Sequence, residues 1–195
     1  MAISYPLDTP TTIGIESIEL RAVNAVATSQ SPFTYKQQVI SHTGQKWEAS
    51  VSIPPVRRDL AAPWKSMLVS LKGPTGTFLL GDPDYATPQG TVSSCTLSGT
   101  AGDETPTVVM TGTLKAGDYI QLGSAGNSRL HQVLEDQSGS GTLEIWPALR
   151  VTYTNAGVTF NSPKGVFRLA SNMTSWSINN TSAYGISFEA VEVLV

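Results

Sequence analysis

Hydrophobic and polar residues alternate most cleanly just before the middle of the chain. Trp47, Ala49, Val51 and Ile53 fall on one side, Glu48, Ser50 and Ser52 on the other. That period of two marks a strand with one buried and one wet face. Pro54-Pro55 is expected to end it, since neither residue offers an N–H to a ladder. The period then changes. Leu60, Trp64, Leu68 and Leu71 recur at i, i+4, i+8 and i+11 with Met67 beside them, which predicts a helix with one apolar stripe. Asp59 is the expected N-cap, Pro63 falls in or beside the first turn, and Gly73-Pro74 stops the helix. Thr77-Phe78-Leu79-Leu80 then reads as a buried strand closed by the turn Gly81-Asp82-Pro83.

Around this strand–helix–strand unit the pattern supplies further strands. Residues 4–12 are turn-rich and predict an extended arm. Residues 17–24 fit a short helix or a strand; strand is favoured, with Ile18, Leu20 and Ala22 inward. Residues 32–40 predict another strand, joined to the Trp47 strand by the loop Ser41-His42-Thr43-Gly44-Gln45. After Asp84 large side chains almost vanish until Thr113, which suggests a linker, a boundary near Pro88 and short small-residue strands. Tyr119-Ile120-Gln121-Leu122, residues 129–134 and Leu143-Glu144-Ile145-Trp146 are strands separated by the turns 114–118, 123–128 and 138–141, a spacing typical of a small sandwich or barrel. From residue 160 the character of the first part returns, with strands at 166–169, 175–179 and a regular alternation from Tyr184 to Leu194.

The expected architecture is therefore mainly β. Residues 1–87 and 160–195 form a β-sandwich or split barrel carrying one helix, and residues 88–159 a small β-barrel or sandwich inserted at an exposed turn.

Composition narrows the function. Charged residues are only 14% of the 195, against about a quarter in average domains, and the net charge is -3. No basic excess exists to neutralise phosphates, which argues against a nucleic-acid grip. Met1-Ala2-Ile3-Ser4-Tyr5-Pro6 lacks the basic start and apolar run of a secretory signal, and no segment has the apolar length of a membrane span. Cys95 is the single cysteine, so no internal disulfide forms, and the sequons at Asn172, Asn179 and Asn180 matter only on a secretory route. A soluble protein assembled in a reducing cytoplasm is expected.

Candidate chemistry is sparse. His42, His131 and Cys95 have no partner in sequence that would make a nucleophile–base pair, so no catalytic role and no cofactor is expected. Asp82 and Asp84 flank a proline in a plain turn, too few oxygens for calcium. Gly117-Asp118 and Gly123-Ser124-Ala125-Gly126 lack the lysine and helix of a phosphate loop. Arg57-Arg58 is a lone basic pair. Tyr119 and Trp146 could form an aromatic platform for a sugar on the inserted unit, or be buried there as core.

Taken in order, several segments resemble the distal tail proteins of long-tailed bacteriophages and related tail-like particles. They are Tyr35-Lys36-Gln37-Gln38-Val39, Gly44-Gln45-Lys46-Trp47-Glu48-Ala49, Pro54-Pro55-Val56-Arg57-Arg58 and Trp64. Gly76-Thr77-Phe78-Leu79-Leu80-Gly81-Asp82-Pro83, Ala116-Gly117-Asp118-Tyr119-Ile120-Gln121-Leu122-Gly123 and Pro163-Lys164-Gly165-Val166-Phe167-Arg168-Leu169-Ala170 follow. The resemblance spans most of the chain and rests on the order of the segments. It marks Trp47, Pro54, Pro55, Trp64, Phe78, Gly81, Asp82, Pro83, Phe167 and Arg168 as scaffold positions. Pro63 and the Pro74-Thr75 turn depart from the pattern.

What the resemblance implies is a structural virion protein, not an enzyme. A belt domain would form a ring, usually of six copies, at the far end of the tail tube and join the tube protein to the baseplate hub. A peripheral domain would face outward. The tape-measure protein and receptor-binding proteins are further partners it implies, with DNA only in transit and no membrane anchor. A neutral or acidic channel is expected, with Arg57, Arg58 and Lys72 outside it, because a channel that bound phosphate would stall passage. The alternative is a receptor- or carbohydrate-binding tail module using the inserted unit.

Overall fold

The computed structural model describes residues 3–180 and 182–194. Met1 and Ala2 of the N-terminal reading, and Thr181 of two of the sequons, lie outside the described residues. In chain order the elements are β1 (Ser17–Gln30), β2 (Gln37–Val56), α1 (Arg58–Ser70), a 3-10 turn (Gly73–Thr75) and β3 (Phe78–Leu80). Then come β4 (Ser94–Gly99), β5 (Thr107–Thr111), β6 (Thr113–Leu114), β7 (Tyr119–Leu122), β8 (Arg129–Val133), β9 (Gln137–Ser138) and β10 (Gly141–Thr142). The chain ends with β11 (Ile145–Trp146), β12 (Tyr153–Thr159), β13 (Gly165–Leu169), β14 (Trp176–Ile178) and β15 (Tyr184–Glu192). The fold is mainly β, built of curled antiparallel sheets with one α-helix, in keeping with the expected sandwich or half-barrel class.

Two sheets hold most of the strands. The first runs β1-β2-β15-β13-β3, with β14 also paired to β15. The second runs β10-β5-β4-β12-β7-β8-β11, and β6 pairs with β9 apart from it. All of these strand pairings are antiparallel. Each sheet has its own core. In the first, Trp47, Ala49, Val51 and Ile53 of β2 meet Ile186 and Ala190 of β15, Phe167 and Leu169 of β13, Phe78 and Leu80 of β3, and α1. In the second, Leu97, Val108, Ile120, Leu122, Val133 and Ile145 pack together. The strand β8 serves both: Leu130 belongs to the first core and Val133 to the second.

The helix differs from its expected form in three ways. Its N-cap is Arg57, with no side-chain cap bond, and Asp59 lies in the first turn, where its charge still favours the dipole. Pro63 lies one turn inside, so the Asp59 carbonyl loses its usual partner, at a typical cost of about 3 kcal/mol. The burial of Trp64, Met67, Leu68 and Leu71 offsets this, at about 1.5–3 kcal/mol per large side chain. Finally, the inward stripe begins with Ala61, while Leu60 is 37% exposed. Lys72 and Gly73 both take left-handed backbone to leave the helix, and Gly76 N–H returns to the Leu71 carbonyl at 2.7 Å.

Two other expectations are corrected in β2. The segment Ser41-His42-Thr43-Gly44-Gln45 is no hairpin loop: β2 runs unbroken through it, and the reversal lies at residues 31–36, where Ser31 N–H bonds the Lys36 carbonyl at 3.0 Å. Nor does Pro54-Pro55 end the strand. Between the pairs Ile53↔Ile186 and Val56↔Tyr184 the register shifts, so both prolines sit in a bulge beyond the last β1 pair, Ser17↔Ser52. A bulge beside an open edge is where a missing N–H costs least.

Candidate functional site

The first sheet's support for β2 stops at Glu48, the last residue paired with β15. From Gln37 to Trp47, β2 has β1 as its only neighbouring strand, and β1 has no strand on its other side among the described residues. Ala22 to Gln30 and Gln37 to Trp47 therefore make a two-stranded arm, about 30 Å long at 3.3 Å per residue. Nearly all of it is exposed, and so are Val26, Phe33, Tyr35, Val39 and Ile40, with Phe33 91% accessible at the tip. Between Asn24 and Gln45 the only formal charge is Lys36.

Such an arm is unusual. Long free edges are normally blunted by charges, prolines within the strand or a covering element, because their unpaired N–H and C=O groups recruit other strands. The molecule's other edges follow that rule. Leu7 bonds across β3, from Leu7 N–H to the Thr77 carbonyl and from Leu79 N–H to the Leu7 carbonyl at 2.9 and 2.8 Å. The second sheet ends in β10 and β11, each two residues long. Among the described residues, only the arm presents long edges, uncharged over residues 24–30 and 37–45. A lone two-stranded ribbon is also marginal in water.

At its root the arm is held firmly. The register shifts between Asn24↔Gln45 and Val26↔Ser41, so His42, Thr43 and Gly44 face Ala25 in a wide bulge. A Cβ on Gly44 would lie 3.0 Å from the Ala25 Cβ, closer than such atoms ordinarily approach. Trp146 Nε1–H donates to Asn24 Oδ1 at 2.8 Å. Gln45 Nε2–H donates to Glu104 Oε1 at 2.7 Å, and its Oε1 accepts from Ala148 N–H at 2.7 Å. The Arg150 guanidinium donates to the Gln45 carbonyl and to Glu192 Oε2, the latter at 3.3 Å. Glu192 also accepts Trp47 N–H at 3.0 Å. Burial raises the Glu192 carboxyl above its ordinary range, opposed by the Trp47 N–H and the Arg150 charge.

Beneath the root, aromatic rings join the two cores. Trp47 lies edge-to-face on Trp146, 4.5 Å between centroids, and 6.1 Å from Tyr119, which in turn meets Tyr85 at 5.5 Å. Trp47 Nε1–H bonds the Leu130 carbonyl at 3.0 Å. Tyr119 and Trp146 thus do not form an outward platform. Both pack against the first core, which uses their faces for contact with protein.

The remaining expected site residues are dispersed through the scaffold. Trp64 and Phe167 are buried, and Phe78 stands edge-to-face on Phe188 at 5.9 Å. Gly81 passes so close to Pro163 that a Cβ would fall 2.2 Å from its carbonyl oxygen. Asp82 Oδ1 accepts Asp84 N–H at 3.0 Å, closing the turn that contains Pro83. Arg168 is half-buried on β13. His131 is enclosed, its Nδ1–H donating to the Pro147 carbonyl at 2.7 Å; burial foremost, then Arg150 and Arg129, lowers its pKa to about 4. Burial pushes the Cys95 thiol up to about 11, which makes it inert as a nucleophile at neutral pH.

Besides Gln45, a second residue escaped sequence reasoning. Asp118 is fully buried and accepts Tyr85 O–H, Gln89 N–H, Gly90 N–H and Lys115 N–H at 3.0, 2.7, 3.3 and 2.8 Å. It fastens the crossover from the first sheet to the second core. The turn Gly117-Asp118 was visible in the sequence, but not the distant donors that converge on it. No cluster of three or more potential metal ligands occurs among the described residues, and no described helix is long and apolar enough to cross a membrane. No protein-family model matches the chain, and no curated protein is similar to it.

Proposed function

We propose that this chain is a structural protein that closes a ring with copies of itself through the β1–β2 arm. The observation that carries the reading is the arm's pair of long, uncharged, unpaired edges. One copy's β1 edge can pair with the next copy's β2 edge, all strands alternating in direction. That contact is head-to-tail, and a head-to-tail contact closes when the rotation per copy divides a circle. The arm's neutral polar residues then line the channel, and Arg57, Arg58 and Lys72 lie around α1, away from the arm.

This organisation suits a distal tail protein at the tip of a phage tail, with residues 1–87 and 160–195 as belt and 88–159 as the peripheral domain. The ring, a hexamer by that resemblance, would bind the tube protein on one side and the baseplate hub on the other. The tape-measure protein would lie in its channel and receptor-binding proteins outside, while DNA passes through without being gripped. It would be built in the host cytoplasm and act in the virion as scaffold without a cofactor. The carbohydrate-binding alternative is weakened because Tyr119 and Trp146 are occupied with Trp47.

Native mass spectrometry tests the reading. The full chain is expected to give one closed oligomer, and a Val26→Pro/Val39→Pro variant, which removes arm N–H groups outside both cores, a folded monomer. A parent that stays monomeric at every accessible concentration, or a variant that assembles like it, would overturn the proposal.

A further inference from the structure

The arm's two strands are each gripped at the root by one piece of the second core. Asn24 on β1 accepts from Trp146, and Gln45 on β2 binds Glu104, Ala148 and Arg150. The gripping residues are themselves zipped together. Gly102 N–H bonds the Leu149 carbonyl at 2.7 Å, Leu149 N–H the Asp103 carbonyl and Ile145 N–H the Glu104 carbonyl, both at 2.9 Å. Leu149 and Ile145 anchor this piece in the second core. Between it and the bulge lies a cleft of about 220 Å³, lined by Ser41, His42 and Thr43 on one side and Gly102, Glu104 and Leu149 on the other. At the root, hydrogen bonds beside this cleft therefore hold the bulge to the brace segments.

We infer that the second core is a brace that sets the direction of the arm, and that Gln45 is the positioning residue through which it does so. Strand pairing with β15 does not reach the bulge, because β15 leaves β2 at Glu48. A two-stranded ribbon with a wide bulge at its base twists and bends there. Gln45 is placed to prevent this: its side chain joins Glu104 to Ala148, and its carbonyl faces Arg150, which is tied to Glu192 at the end of β15. One residue thus links arm, brace and first sheet. Whatever displaces the 102–104 or 145–150 segments also displaces the arm, so a partner bound on the second core can change the geometry of self-assembly. Only that last consequence rests on the proposed ring; the bracing concerns a single chain.

Pulsed electron-electron distance measurement tests it on the full-length protein. Cys95→Ala provides the background, spin labels go on Thr34→Cys at the arm's tip and Thr107→Cys on the second sheet, and labelled chain is diluted into excess unlabelled chain. The parent is expected to give one narrow distance distribution. Gln45→Ala should widen it about twofold, because the arm is no longer preorganised, and raise the concentration for half-assembly about tenfold. Thr43→Ala, in the bulge but outside the hydrogen-bond set, should leave it narrow. Should Gln45→Ala not fold, Glu104→Ala at the more exposed end of the set should still widen the distribution. A distribution that is broad in the parent, or unchanged in both variants, overturns the brace. Broadening without any assembly of the parent leaves the brace standing and removes the ring.

Discussion

Trp47 and Trp146 meet edge to face, with 4.5 Å between centroids and 89° between planes. One is the buried residue of β2 at the arm's root; the other is where the second core takes hold of that arm. This contact, with the Trp47 indole on the Leu130 carbonyl, joins the two cores directly below the arm's root. The arm rises from that junction as a ribbon with unpaired edges.

Trp47→Phe keeps most of the ring contact but strands the Leu130 carbonyl without its buried donor. Urea denaturation is expected to show a loss of about 1–3 kcal/mol, the range for an unsatisfied buried group. A loss below the error of the method would mean the indole bond contributes nothing.

The inward face of α1 can be checked with two truncations. Trp64→Ala empties a fully buried site and is expected to cost about 3–5 kcal/mol. Leu60→Ala removes a partly exposed side chain and should cost under about 1 kcal/mol. Equal losses would return Leu60 to the stripe that periodicity alone assigns it.

Asp118→Ala removes the acceptor shared by three backbone N–H groups and the Tyr85 hydroxyl. With about 1–3 kcal/mol per stranded donor, the loss should be at least about 3 kcal/mol. Faster proteolysis is expected in the 85–90 segment, read by mass spectrometry of the fragments. An intact crossover would contradict its role as fastener.

His131 gives the protein a pH dependence of definite sign. Its pKa falls from 6.5 unfolded to about 4 folded. Between those values the unfolded chain binds the extra proton, so stability is full above pH 6.5 and declines as pH falls toward 4, by on the order of 3 kcal/mol. Glu192 works in the opposite sense: its raised folded value adds stability in acid that is lost as pH rises through it. His131→Asn, which keeps a group facing the Pro147 carbonyl, isolates the histidine. Thermal melts from pH 7 to 4.5 should show a shallower decline for the variant; parallel curves would refute the assignment.

The patterns legible in the sequence were those set by local physics. The alternation over Trp47, Ala49, Val51 and Ile53, the helix around Trp64 and the strand at Tyr119 all appear where periodicity puts them, because burial on one face writes itself into the chain. The arm did not show itself. Its residues face water on both sides, so no alternation marks them, and Gly44 with Gln45 imitates a turn while serving a bulge. Pro54-Pro55 misled for a related reason: a strand tolerates proline where its edge is open, and the openness comes from how far β1 extends. Tyr119 and Trp146 left two readings open, platform or core, because composition does not say which side of a sheet another core will cover. Asp118 and Gln45 needed tertiary knowledge outright, since their partners come from segments far away in the chain.

The central claim is that the arm's free edges are completed by other copies of the chain. Amide hydrogen exchange across a concentration series measures this most directly. At low concentration the outward N–H groups of residues 22–30 and 37–45 should exchange rapidly, while those of β13 and the inner part of β15 remain protected. As the oligomer forms, slow exchange is expected to spread to the arm's outward amides on both strands together. Arm amides that still exchange rapidly when the oligomer is fully formed, or that never change because no oligomer forms, would contradict it.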